Sequence, residues 1–533
     1  MSEDSLDNTI YDTVVLGTGL VESIVASQIA ATPALDADND NVENKNYLKV
    51  LHIDRSPYYG GTSACFSLSA FIEWAAKYRD QRQTPFVKIV FGNVQSNDDE
   101  KKQEQIETHV FVIDAVESAL TNPDTSVSSN NSQAQTLLTM IEPFYNPADD
   151  LQATAKDAAM LLSQTTLNLL LANDRKYSIE LAPKLALCRG AMIDMLIDEG
   201  IGEYVQFKGI EHNYVVRGTL LERVPETKED VFASTTLSLI EKRKLMRLLS
   251  VISDDEQCQG LLEEARVVDD FKLFLQTRFR LEGKLLDAVL FAVARVGYNQ
   301  TIGAVNGCER VRKYVRAMGR YGRMAYLCAM YGGASELSQA FCRLCAVSGG
   351  TYILNTDVDI SKSDDGLFDV HMPSYGTVKA KSIVMDPVYD PKGTVSSNGA
   401  AVSRALCIID KPVLGEDTSV LLCHVDDANM QTTSMLYLTH ATQAVPQGQA
   451  IIYAWSNGKL CSKMQEQLQK AMDSICSQAV PLFTAFFEVN QIVLCSPELY
   501  LGTNIPDSLI DFDSAVEEAL ELSKKLENKL AEL

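Results

Sequence analysis

An apolar run, Thr13-Val14-Val15-Leu16, leads into Gly17-Thr18-Gly19. Glycines at such a point let the chain turn tightly into a helix and bring the backbone close to a pyrophosphate. Helix N-terminal N–H groups then attract the anion. The third small residue of that arrangement is missing, because Glu22 stands in its place. A glutamate adds bulk where helix and strand must pack closely, and negative charge where phosphate would sit. Asp54 ends the next apolar run, Leu51-His52-Ile53, where an acidic residue would bind ribose in an active dinucleotide site. Its other reading is a helix cap or a loop contact. The expectation is a nucleotide-type βαβ unit, marked by Gly17, Gly19, Glu22 and Asp54, that takes up no cofactor.

Other reactive constellations are sparse. Among six histidines none pairs locally with Ser or Cys in a hydrolase motif, and HExxH and P-loop patterns are absent. His52, inside an apolar run, reads as a hydrogen-bonded core residue. Cys342 and Cys345 have metal-type spacing, but no second pair follows, so helix packing is the expected role and no metal site is expected. The segment Tyr331 to Leu354 is denser. A Gly-rich turn opens a helix at Ser335-Glu336, which ends at Gly349-Gly350 before another strand. Glu336 and Arg343 lie two helical turns apart on one face. Such a pair forms either a solvated charged face or a surface that recognises another protein.

These residues need a scaffold, and the 533-residue chain is long enough for more than one unit. Asp54 follows Gly17 at nearly twice the usual spacing of about 20, the surplus being a polar insert at 34–46. Two more polar stretches, 95–105 and 121–135, read as surface inserts. From about Thr227 the pattern turns helical, with periodic apolar residues over Leu237 to Leu249 and Leu281 to Val296, and returns to sheet near Ala325. The expected organisation is an α/β sheet domain over 1–226 and 321–533, with a small all-helical domain over 227–320. A net charge of −24 argues against nucleic acid as a partner. No apolar run reaches bilayer length, the N-terminus lacks a secretory pattern, and the chain does not end in a prenylation box. Scattered cysteines in apolar runs suit a reducing compartment, so a cytoplasmic protein is expected.

Ile10 to Glu22, Leu51 to Gly61 and Glu336 to Leu354 together resemble the shared regions of the Rab GDP-dissociation inhibitor and Rab escort protein superfamily. Ala64 to Trp74, Val224 to Phe232 and Phe341 to Val347 resemble the escort branch more closely. The resemblance implies a flavoprotein-like sheet domain with a small helical domain and no flavin chemistry. It implies a non-catalytic accessory subunit that binds Rab GTPases in their GDP form, presents them to the Rab geranylgeranyltransferase heterodimer, shields the geranylgeranyl group and contacts membranes transiently. On matching positions it implies a Rab-binding platform of Tyr59, Glu336, Arg343 and Ile353. A mobile loop would include Arg320, Tyr321 and Arg323. An exposed aromatic for the transferase falls on Phe279, which stands between Arg278 and Arg280, with Phe271 and Phe274 as core residues. A general Rab GDP-dissociation inhibitor is the alternative; a flavin-dependent oxidoreductase is the distant one.

Overall fold

The computed structural model describes residues 9–33, 47–80, 88–91, 167–168, 170–235, 237–390, 394–395, 401–476, 478–490, 492–493, 501–503 and 507–532. The three polar inserts expected from composition lie outside these residues.

The first strand, Ile10–Leu16, runs parallel to Val50–Ile53 on one side and to Gly376–Met385 on the other. Thr351–Ile353 adds a further parallel strand beyond Val50–Ile53, while Phe368–Met372 and Asp359–Lys362 extend the other edge antiparallel. Helix Leu20–Ala30 makes the crossover between the first two strands. A parallel arrangement needs such a crossover, since a tight hairpin cannot reverse the chain direction twice. From sequence alone, Val21, Ile24, Val25 and Ile29 predict one broad buried face for this helix. It is instead buried almost all round, because Ala334–Val347 and Asp513–Glu532 pack against it on the side away from the sheet. Its small residues Ser23, Ala26 and Ser27 allow that close approach.

An eight-stranded sheet forms the second layer, in the order Lys88–Phe91, Pro481–Asn490, Ala401–Ile409, Ala450–Asn457, Gln431–Thr439, Val420–Asp426, His212–Arg217, Leu220–Arg223. Helix Ser462–Cys476 packs its Leu468, Ala471, Met472 and Ile475 on one face. The other face joins the core that contains helix Leu20–Ala30. The α/β, flavoprotein-like scaffold is thus built on two main sheets, with helices between and outside them and three smaller sheets among the described residues.

Helices then follow one another: Lys228–Ala233, Leu239–Ser253, Asp255–Ala265, Phe271–Arg278, Gly283–Asp287 and Ala304–Ala317. Their starts are chemically marked. Thr227 with Asp230, and Ser238 with Glu241, form reciprocal capping boxes, and Asp254 and Asp270 cap the next two. The single helix read over Leu281 to Val296 is broken in two ways. It passes into a π-helical turn at Ala288–Val293, and Arg295 then takes a left-handed conformation with φ 52°. The helical core is shared with the sheet, since Val215, Val224, Cys423 and Val425 pack into it.

Candidate functional site

The glycine turn is locked from within. Gly17 takes φ 100°, a conformation strained for any side chain, and a Cβ there would press on Asp386. Thr18 donates its backbone N–H and its hydroxyl to one oxygen of Asp54, at 2.8 and 2.6 Å. The other oxygen accepts from the Ser56 N–H at 2.8 Å and the Tyr389 hydroxyl at 3.0 Å. Asp54 is therefore buried and satisfied, holding its own loop rather than waiting for ribose. His52 is buried, its Nε2 against the Gly17 carbonyl; burial lowers its pKa to about 4, so the neutral ring donates that hydrogen bond.

Glu22 completes the seal. Its carboxyl fills the space that a Cβ on Gly19 would need and accepts from the Thr503 hydroxyl. Burial first, and then the nearby Asp386 carboxylate, raise its pKa to about 8. Burial likewise raises Asp386 to about 6. Two carboxyl groups around the glycine turn, with Asp54 fully engaged, do not fit a pyrophosphate and ribose.

The same turn organises a neighbouring surface. Gly60, at φ 104°, donates to the Thr18 carbonyl at 3.0 Å and to its hydroxyl at 3.1 Å. A side chain on Gly60 would meet Ala64 backbone and crowd the Ser335 hydroxyl. Ser335 in turn approaches the Tyr59 carbonyl at 3.5 Å. So residues 17–19, 54–60 and Ser335, far apart in the chain, are joined through Thr18, Tyr59 and Gly60. Tyr59 is half-buried, its ring centre 6.3 Å from that of Tyr352. Glu336 is half-buried in the first turn of helix Ala334–Val347, and burial raises its pKa. Arg343 is exposed on the same helix, its guanidinium 4.2 Å above the Tyr204 ring. Cys342 and Cys345 are buried, and the Cys342 thiol lies 3.3 Å from the Ser23 hydroxyl on helix Leu20–Ala30.

Two of the expected contact residues are elsewhere. Ile353 is only 6% exposed and packs among Leu51, Ile53 and Phe368, because the third parallel strand turns it into the sheet core. Phe279 is 2% exposed, edge-on to Phe274 with ring centres 6.4 Å apart. The flanking arginines misled: neighbours in sequence do not share a helix face. Arg278 turns outward to Glu264 at 2.6 Å, while Arg280 takes φ 55° and reverses the chain, driving the ring between them inward. Leu273 is the half-exposed apolar residue on that helix. In the expected mobile loop, Arg320 is held by the Cys188 carbonyl and the Asp194 carboxylate, at 3.1 and 2.6 Å. Tyr321 and Arg323 are exposed between and beyond two left-handed glycines, Gly319 and Gly322.

Sequence reasoning missed Glu180. Buried on the two-residue strand beside Cys65–Phe66, it accepts from the Ala334 N–H at 3.3 Å and so caps helix Ala334–Val347 from outside. Burial raises its pKa to about 7. Nothing local marks it, as it meets the helix only through the fold. Tyr204 and Tyr331, both about half-exposed, also escaped. Tyr331 stands in the Gly-rich turn itself, at φ 65°.

In the helical region, Leu245, Leu248, Leu249, Leu285, Val289, Val311 and Val315 line an apolar pocket of about 20 Å³. Glu226 lies at its edge and accepts from the Tyr314 hydroxyl at 2.6 Å. No helix among the described residues is long and apolar enough to cross a membrane.

Comparison with known proteins places these features in a lineage. A Rab proteins geranylgeranyltransferase component A of Drosophila melanogaster is 26% identical, over 97% of this chain and 88% of that protein. A Rab GDP-dissociation inhibitor of Saccharomyces cerevisiae is 26% identical over 78% of this chain and 71% of its own. A crystal structure of Rab GDI from Plasmodium falciparum shares the fold, with TM-score 0.64 and 17% identity over 98% of both chains. The sequence profile of the family described as GDP dissociation inhibitor matches residues 5–90 and 162–470, more than half of the chain, and the chain belongs to that family.

Proposed function

We propose that this chain is a Rab escort protein: it binds GDP-bound Rab GTPases, presents them to Rab geranylgeranyltransferase and carries the prenylated product to membranes. The observation behind this reading is the match to component A proteins over almost the whole chain, together with the family profile's coverage of the segments that carry Thr18, Asp54 to Gly61 and Ser335. The chain itself catalyses nothing. Its work is differential binding, stronger for one nucleotide state of the GTPase than for the other. The platform is the surface above the Thr18 junction, with Tyr59 and Glu336 half-buried at its base and Arg343 exposed at its edge. Partly buried aromatic and arginine side chains on a rigid base are the usual energetic anchors of an interface. Tyr321 and Arg323 sit on the loop that meets the GTPase tail.

The sheet domain comprises 1–226 and 321–533, and 227–320 holds the lipid. The pocket between Leu245, Leu285 and Val311 takes the geranylgeranyl chain. At about 20 Å³ it is closed, whereas occupied ligand pockets are commonly several hundred Å³, so helices Leu239–Ser253 and Ala304–Ala317 part when the lipid enters. Each buried CH₂ supplies roughly 0.8 kcal/mol to drive that opening.

Titration of this chain with one Rab, loaded with GDP or with a GTP analogue, tests the reading. Tighter binding of the GDP form and capture of the transferase by the complex are expected. Equal affinity for the two forms refutes it. The match to a yeast Rab GDP-dissociation inhibitor keeps a second reading, a recycling inhibitor that binds prenylated Rab without the transferase.

A further inference from the structure

The turn that follows the π-helical segment Ala288–Val293 opens onto a cleft of about 490 Å³ between the helical region and the eight-stranded sheet. A volume of this order holds a small organic molecule. Strand Gln431–Thr439 starts at the cleft and ends near Thr442, whose carbonyl accepts from the Tyr331 N–H at 3.2 Å. The length of that strand, roughly 30 Å of extended chain, therefore separates the cleft from the turn ahead of Glu336.

Two arginines supply its charge. Arg310 donates to the carbonyls of Ala294 and Arg295, at 3.2 and 3.5 Å, which brings the two arginine residues together. Arg295 donates to the Leu422 carbonyl at 3.2 Å and to Asn213 Oδ1 at 3.0 Å. Its Nε is buried and has no hydrogen-bond partner among the described residues. A guanidinium carries five N–H donors, so both arginines keep donors to spare. Among the described residues that line the cleft none is Asp or Glu, in a chain that holds 71 of them against 47 Lys and Arg. Asp426 and Asp427, in the adjoining strand turn, are engaged by Lys470 at 2.6 Å and Arg217 at 2.7 Å. A cationic cleft in so acidic a chain suits an anion, which a guanidinium fork holds through paired N–H donors.

The walls are flat and apolar. Phe291 and Tyr298 are stacked, with ring centres 5.5 Å apart and planes 14° from parallel. The Trp455 ring is held by its indole N–H on the Ser508 carbonyl at 2.9 Å, and Met430 and Met464 complete the lining. Backbone strain gathers here too. Of the six non-glycine residues with positive φ among those described, two border the cleft, Arg295 at 52° and Met430 at 51°. Such strain persists where surrounding contacts enforce it, and it concentrates at ligand sites. We propose that this cleft binds a small organic anion, its carboxylate or phosphate held by Arg295 and Arg310 and its flat apolar body against Trp455 and Met464. The ligand touches the helical region and the sheet at once, and so braces one against the other.

Fluorescence of the full chain carrying Trp74→Phe reports Trp455 alone, since the sequence has two tryptophans. It is titrated with phenyl phosphate, with benzoate and, as the neutral counterpart, with benzyl alcohol. A saturable change with one or both anions is expected, and the anion that binds tells phosphate from carboxylate. Benzyl alcohol should bind more weakly by about tenfold, and Arg310→Met should weaken the anion by about as much. Asn457→Glu, at an exposed strand end, sets a carboxylate in the lining and should weaken the anion likewise with an unchanged Tm. It decides the matter if Arg310→Met does not fold. No saturable change with either anion would overturn the proposal. So would wild-type affinity in Asn457→Glu or in folded Arg310→Met, or benzyl alcohol binding as tightly as the anions. Neither Rab nor transferase is present, so the outcome is independent of the escort reading.

Discussion

Thr18 and Asp54, from the first and second βαβ loops, share one carboxylate oxygen through two donors, the Thr18 amide at 2.8 Å and its hydroxyl at 2.6 Å. With Ser56 and Tyr389 on the other oxygen, this carboxylate ties together a turn that in a dinucleotide enzyme would face ligand. Asp54→Ala should therefore act on stability. It strands several buried donors, and a loss of about 3 kcal/mol is expected. Calorimetric melting checks it; an unchanged Tm would mean the network carries little.

Buried carboxyl groups give the protein a pH signature. Burial raises Glu22 to about 8, Glu180 to about 7, Glu226 to about 7 and Asp386 to about 6. A raised folded-state pKa means the native chain holds protons that the unfolded chain releases from about pH 4.5 upward. Stability from these groups is present below that value and is lost as pH rises through each folded pKa. Melting at pH 5.5 should thus be higher than at pH 8, and Glu22→Gln should flatten the difference between pH 6 and 8. A Tm that climbs steadily from pH 5.5 to 8 would show that other groups dominate.

Arg343→Ala should weaken binding of GDP-loaded Rab by about 2 kcal/mol and leave melting nearly unchanged, since Arg343 is exposed and stacks on the half-exposed Tyr204. Tyr59→Ala should weaken binding as well, with a modest cost in stability because its ring is half-buried. Wild-type affinity in both variants, by calorimetric titration, would remove these residues from the platform.

Phe279→Ala should behave as a core truncation. The ring is buried against Phe274, so a loss of about 3–5 kcal/mol is expected. Leu273→Ser, at a half-exposed position on the same helix, should cost under about 0.5 kcal/mol. Denaturant unfolding compares the two; a Phe279→Ala protein as stable as wild type would contradict the packing described.

The contrast between these residues shows what could be read from the chain. Gly17, Gly19, Glu22 and Asp54 were legible because a strand, a glycine turn and a helix leave local marks. Helix Leu20–Ala30 was misjudged as one-sided, since its outer face is covered by helices more than 300 residues away in sequence. Phe279 and Ile353 were placed outside by their neighbours or by position, yet burial depends on a backbone reversal at Arg280 and on which strand pairs with Val50–Ile53. Glu180 capping Ala334 is a contact between segments 154 positions apart and leaves no trace in either.

Reconstituted prenyl transfer is the most direct test of the central claim. Purified transferase, an unprenylated GDP-loaded Rab and labelled geranylgeranyl pyrophosphate are combined with and without this chain. Transfer that depends on the chain, saturates near one equivalent per Rab and falls in Arg343→Ala is the predicted result. Transfer equally fast without the chain, or none with it although prenylated Rab is bound and extracted from membranes, would contradict the escort assignment and leave a recycling inhibitor.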